Sequence, residues 1–191
     1  MSASPLDPLP ELEPDPGRSA VEVRPADSDG GDAVSAAVAF LLRSTQARPQ
    51  TEAELRDKLG NRQVPADVAE RALDRARSLG AADDAAFARA WVADRGVKRG
   101  YANARLRDEL RRRRVPDALI ETSLAAVGER DEHATATQLA SKRAASMPSR
   151  LEPPAVARRL QGYLVRRGYG PALAQRVAID VSGLDRYRSW D

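Results

Sequence analysis

Residue types that carry chemistry are sparse in this chain. His133 is the single histidine, and it stands among Asp131, Glu132 and Thr135 at the start of an expected helix. Without a cysteine or a second histidine it lacks metal-ligand spacing, and it reads as a surface residue. The absence of cysteine excludes disulfides, thiolate metal sites and a cysteine nucleophile. No Gly-x-x-x-x-Gly-Lys-Ser/Thr loop is present to cradle a phosphate. Asp83 and Asp84 resemble a metal dyad only superficially. At the front of a helix both carboxylates complement the dipole, so capping is the better reading. The sequence predicts a protein that is not an enzyme and that takes no metal or cofactor.

What remains is positive charge in clusters. Arg111, Arg112, Arg113 and Arg114 run consecutively, with Arg105 and Arg107 one to two turns earlier and Lys98-Arg99 before them. Further along come Lys142-Arg143, Arg158-Arg159 and Arg166-Arg167. Cations at a helix C-terminus are favoured by roughly 0.3–1 kcal/mol, which accounts for one or two arginines of the run at 111–114. Four in a row repel one another unless an anion binds, so this run is expected at a partner interface; simple solvation is the alternative. Single-strand nucleic-acid binders offer aromatic platforms for bases. Phe40, Phe87, Trp91 and Tyr169 fall on apolar faces, whereas Tyr101, Tyr163, Tyr187 and Trp190 are candidates for exposure. Tyr163 aligns with Lys58 and Glu109 at solvent-facing positions. It is the best single aromatic contact, with a partly buried surface tyrosine as the alternative. No middle or last helix of a repeat shows an obvious face of Asn, Gln and Arg suited to reading bases, so sequence-specific recognition is unsupported.

The elements that must position these residues follow from the charge distribution and an internal repeat. Residues 1–32 carry eight acids against Arg18 and Arg24, a net −6, while residues 33–191 carry +9. A basic body of this kind suggests a polyanionic partner, either nucleic acid or an acidic protein surface. The acidic stretch has six prolines and no apolar periodicity, and is expected to be disordered. It reads either as a solvated extension or as an internal competitor for the basic surface. No targeting signal or membrane-length apolar run is evident, so a cytoplasmic protein is expected.

From Ala33 the sequence repeats. Leu55-Arg-Asp-Lys-Leu59 through Val64-Pro65 matches Leu106-Arg-Asp-Glu-Leu110 through Val115-Pro116 at seven of eleven positions, offset by 51. An offset of 54 then carries Leu106, Leu110 and Val115 onto Leu160, Leu164 and Tyr169. Each repeat reads as three helices. The first helices are Ala33–Arg43, Asp84–Val97 and Glu132–Ser146. The middle ones start near Thr51, Tyr101 and Pro154, each with an i, i+4 leucine pair on one face. The last are Pro65–Leu79, Pro116–Val127 and Pro171–Val181. Thr51 and Glu54 have capping-box spacing. Gly168 suits a left-handed cap after the third middle helix, and the same backbone at Gln63 and Arg114 would cost on the order of 1 kcal/mol each.

The expected fold is all-α: three tandem three-helix repeats in an elongated array, with a disordered acidic Pro-rich tail over 1–32. The repeats are assigned to 33–80, 81–128 and 129–183, followed by a C-terminal tail at 184–191. Units of this size stacked end to end would span about 70 Å. A long, basic body without catalytic groups is suited to lying along a partner.

The stretch Asp84-Ala-Ala-Phe87 through Trp91, then Arg95, Gly100, Leu106-Arg-Asp-Glu109-Leu110, Val115 and Ile120, resembles the central repeat of RecX proteins. Arg48 with Glu54-Leu55 matches the first repeat of that family, and Arg166-Arg167-Gly168-Tyr169 the third. The chain departs from the pattern at Arg113-Arg114, where Lys-Gly is usual, and in its acidic N-terminal stretch. The resemblance implies a monomeric regulator in recombination, DNA repair and the SOS response. It implies binding to the RecA filament, protein plus single-stranded DNA, along its helical groove. It also implies restraint of ATP hydrolysis, strand exchange and filament growth. A non-specific DNA-binding protein is the alternative.

Overall fold

The computed structural model describes residues 26–128 and 131–185. Three helices form each repeat: α1 (Ala26–Ala47), α2 (Glu52–Asn61) and α3 (Ala66–Ser78); α4 (Asp84–Trp91), α5 (Asn103–Arg112) and α6 (Asp117–Ala125); α7 (Glu132–Ala145), α8 (Pro153–Val165) and α9 (Pro171–Ser182). Among the described residues there is no strand. α4 runs on into a π-helical segment, Val92–Lys98, whose wider winding shows in the Arg99 N–H donating to the Asp94 carbonyl at 3.2 Å.

Each repeat closes over its own core. Leu55 and Leu59 of α2 are fully buried with Leu41, Ala72 and Leu73. Leu106 and Leu110 of α5 are buried with Val92, Val115 and Ile120. Leu160 and Leu164 of α8 are buried with Ala136, Ala140, Tyr169 and Val177. Each leucine withdrawn from water contributes roughly 1.5–3 kcal/mol, so the i, i+4 pairs anchor the repeats. Phe87 and Tyr169 are buried as expected, while Phe40 and Trp91 are half-buried at the margins of their cores. Tyr187 and Trp190 lie outside the described residues.

Three departures from the sequence expectation are local. α1 begins at Ala26, inside the stretch expected to be disordered; with two glycines and no large apolar residue, residues 26–32 offer no helical period to read. The remainder of that stretch lies outside the described residues. Pro65 and Pro116 occupy the position just before their helices, with extended ψ of 143° and 136°; of the three prolines expected to open the last helices, Pro171 alone stands at the first helical position.

The loop after each middle helix adopts one conformation in all three repeats. Gln63, Arg114 and Gly168 have φ of 58°, 60° and 90°. In each case the following residue donates its N–H five residues back: Val64 to Leu59, Val115 to Leu110 and Tyr169 to Leu164. This bond satisfies an orphan carbonyl at the helix end. The apolar residue that donates it is tucked toward the core, which is why the chain accepts left-handed strain at two residues other than glycine.

Candidate partner-binding surface

The clustered arginines divide into two groups according to what faces them. Within the second repeat most meet a carboxylate of this same chain. Arg107 forks onto Glu121 at 2.7 and 2.8 Å, and Arg111 reaches Asp117 at 2.8 Å. Arg113 reaches back into the first repeat and pairs with Glu54 at 2.6 Å, its guanidinium 4.4 Å over the Trp91 ring. Arg114 pairs with Asp57 and donates to the Ala53 carbonyl. Of the run at 111–114, Arg112 is the one with no ion pair among the described residues. Three of the four thus have internal counter-charges, which offset their mutual repulsion without an external anion. Two of those counter-charges lie 59 and 57 residues away, beyond the reach of any local reading.

Glu109, read from the sequence as solvent-facing, is instead a nearly buried hub with its side chain 11% exposed. It accepts from the Trp91 indole at 3.0 Å, Arg95 at 3.1 Å and Arg105 at 2.8 Å. Arg95 also lies 3.8 Å over the Trp91 ring. A carboxylate with three donors can be desolvated without an unmet charge. Its spacing of four from Arg105 was the only sequence signal for this cluster.

The repeats are joined by two equivalent junctions. At the first, the Thr51 hydroxyl donates to the Arg113 carbonyl at 2.9 Å, and the Glu52 N–H donates to Asp84 at 2.8 Å. At the second, the Ala102 N–H donates to the Arg167 carbonyl at 3.0 Å, and the Asn103 N–H to Glu132 at 2.9 Å. Thus the start of one middle helix docks on the end of the next, and a carboxylate at the following repeat's first helix receives its leading N–H. Asp83 caps α4 through the Ala86 N–H at 2.8 Å, as the sequence predicts, but Asp84 is an inter-repeat acceptor instead. Burial raises the Asp84 carboxyl above its ordinary value.

The second junction also holds the expected aromatic. Tyr163 is half-buried against the third core, with the Arg167 guanidinium 4.5 Å over its ring. Arg167 also donates to the Arg99 carbonyl at 2.7 Å, while Arg99 pairs with Asp94. Arg105 donates to the Arg166 carbonyl and lies 4.2 Å over Tyr101. A methyl at Gly168 would collide with the Arg105 side chain, so this glycine serves close packing as well as its positive φ.

A second group stays free. Lys98, Arg112, Lys142, Arg143, Arg158, Arg159 and Arg166 are exposed and, among the described residues, form no ion pair. Arg159, Tyr163 and Arg166 follow one another at i, i+4 and i+7, which places them on one face of α8 and its C-cap. Arg112, Arg166, Arg105 and Asp108 line a groove of about 360 Å³ where the second and third repeats meet. Of the clustered cations, the unpaired ones thus lie mainly on the third repeat and its seam with the second. Among the described residues no cluster of His, Cys, Asp and Glu could hold a metal ion, and no helix is long and apolar enough to cross a membrane. His133 is exposed in the first turn of α7.

Comparison with known proteins bears on this architecture repeat by repeat. Family models described as the first, second and third three-helix domains of RecX match residues 42–75, 83–124 and 130–178. The chain is 41% identical over 147 residues to the regulatory protein RecX of Thermobifida fusca, covering 76% of this chain and 78% of that one. It is 36% identical over 157 residues to the regulatory protein RecX of Streptomyces lividans, covering 81% and 83%. Its fold matches a crystal structure of RecX from Lactobacillus salivarius with a TM-score of 0.60 at 16% identity, over 79% of this chain and 97% of that one. A further crystal structure of regulatory protein RecX matches with a TM-score of 0.59 at 20% identity, over 80% and 74%. With three family domains in order and relatives aligned over most of their length, the chain belongs to the RecX family of regulatory proteins.

Proposed function

We propose that this protein binds the RecA nucleoprotein filament and restrains its ATPase, strand-exchange and filament-extension activities in recombination and DNA repair. The observation that carries the reading is that Lys98, Arg112, Lys142, Arg143, Arg158, Arg159 and Arg166, all from the basic clusters, are exposed with no internal counter-charge among the described residues, in a chain of this family. These charges suit an acidic protein groove or a phosphate backbone, and Tyr163 with Arg167 supplies a flat face beside them. Regulation of this kind needs binding and no chemistry. A cytoplasmic monomer that prefers one state of the filament shifts assembly by the difference in affinity between states.

The test is ATP hydrolysis by RecA from the same source on single-stranded DNA, with this protein titrated far below the DNA-site concentration. Suppression at such ratios is expected, since too little protein is present to mask the DNA. Suppression only near saturation of the DNA would replace the reading with non-specific DNA binding. No suppression would remove both.

A further inference from the structure

A groove lies between α1 and α3 of the first repeat. It has a volume of about 760 Å³. Val34, Val38 and Leu42 recur along α1 at a spacing of four and form its apolar floor, and Leu79 closes it while 50% exposed. Arg71 and Arg75, one turn apart on α3, stand on its rim, exposed and without an ion pair among the described residues. The acid between them, Asp74, is already engaged by Arg77. The groove therefore asks for an extended segment with apolar side chains on one edge and negative charge beside them.

The chain contains such a segment. Leu6-Asp7-Pro8-Leu9-Pro10-Glu11-Leu12-Glu13-Pro14-Asp15 places a leucine at every third residue, with acids and prolines between. A polyproline II helix has three residues per turn and rises about 3.1 Å per residue, so this spacing lines the leucines along one edge, about 9 Å apart. α1 runs about 24 Å from Ala26 to Leu42, while the ten residues 16–25 can span about 33 Å when extended. The segment can fold back along α1 and reach the whole groove.

We infer that residues 6–15 dock in cis into the α1–α3 groove, with the leucine edge along the floor that Val34, Val38 and Leu42 form and carboxylates on Arg71 and Arg75. The N-terminal segment is then a resident ligand of the first repeat. It leaves the unpaired cations of the third repeat open to a partner. The inference is independent of the RecA reading, because it concerns a different repeat and needs no partner.

The chain has no native cysteine, so Pro10→Cys gives a single attachment point for a nitroxide label on the full-length protein. Methyl NMR of that protein is expected to show loss of the Val34, Val38 and Leu42 signals, with Val177 of the third core retained. Leu6→Ser/Leu9→Ser/Leu12→Ser in the same chain should restore them, and Arg71→Glu/Arg75→Glu should restore them in part. Adding Glu11→Arg/Glu13→Arg to the rim reversal should bring the loss back. Loss that persists in the leucine triple variant would overturn the inference. So would loss centred on the methyls of Val156 and Val181 in the third repeat, which would put the tail on the cationic surface. Mixing nitroxide-labelled chains with methyl-labelled chains that lack the nitroxide tests the remaining occupant: signal loss there means a second copy's tail fills the groove and overturns docking in cis.

Discussion

The Thr51 hydroxyl donates to the Arg113 carbonyl at 2.9 Å, joining the start of one repeat's middle helix to the end of the next. Thr51 is fully buried, and its oxygen also accepts the Glu54 N–H at 3.2 Å as the cap of α2. One hydroxyl therefore serves the helix and the junction together. Thr51→Val keeps the volume and removes both bonds, and should destabilise the protein by about 2 kcal/mol in urea unfolding. Thr51→Ser should recover most of that loss; if it does not, the methyl rather than the hydroxyl matters.

Substitution at equivalent left-handed positions should give opposite signs. Gln63→Gly relieves backbone strain at an exposed residue and should stabilise by about 1 kcal/mol. Gly168→Ala adds strain and a collision with Arg105, and should destabilise by about 2 kcal/mol or more. Denaturation midpoints of the two variants, moving in the same direction, would contradict the shared loop geometry.

Glu109→Ala leaves Trp91, Arg95 and Arg105 without their common acceptor. A loss of about 3 kcal/mol is expected, together with a shifted indole N–H resonance for Trp91. An unmoved resonance would mean that the indole finds its partner elsewhere in solution.

Acid should weaken the fold through its exposed ion pairs. Hydrogen bonds from Arg77, Arg56 and Arg107 hold Glu52, Glu70 and Glu121, respectively, below the ordinary carboxylate range. Stability from such groups is present above the unfolded-state value, near pH 4.5, and is lost as pH falls through the lower folded value. Asp84 acts in the opposite sense: its raised value means the folded state takes up that proton more readily, so its contribution improves on acidification. Urea midpoints measured from pH 3 to 7 should fall on the acid side, and Glu52→Gln should flatten that limb. A limb of unchanged slope in this variant would assign the loss to other carboxylates.

The two groups of arginines should separate by assay. Arg158→Glu/Arg159→Glu should weaken suppression of RecA ATPase by about ten-fold or more, with unfolding within about 0.5 kcal/mol of the parent. Arg113→Glu should instead destabilise the fold, because it sets a carboxylate against Glu54. If Arg158 and Arg159 can be reversed without effect on suppression, the third repeat is not the contact surface.

The architecture was legible in the sequence because it rests on local, periodic signals. Leucine pairs four apart mark each middle helix, and the offset copies carry the loop geometry from Gly168 to Gln63 and Arg114. The division among the arginines was not legible. Whether Arg113 is free depends on Glu54, whether Arg114 is free depends on Asp57, and neither pairing follows from any period in the chain. Glu109 was misread for the same reason, since the helix face it occupies becomes interior only when Trp91 and Arg95 close over it.

The start of α8 sets a boundary on the array. In the first two repeats the leading residue of the middle helix, Glu52 or Asn103, offers its N–H to the carboxylate of the repeat that follows. In the third that position is Pro153, with Pro154 behind it, and proline has no N–H to offer. The coupling that adds one repeat to the next is chemically blunted at this face. The third repeat can receive a neighbour on one side but cannot template another by the same bond.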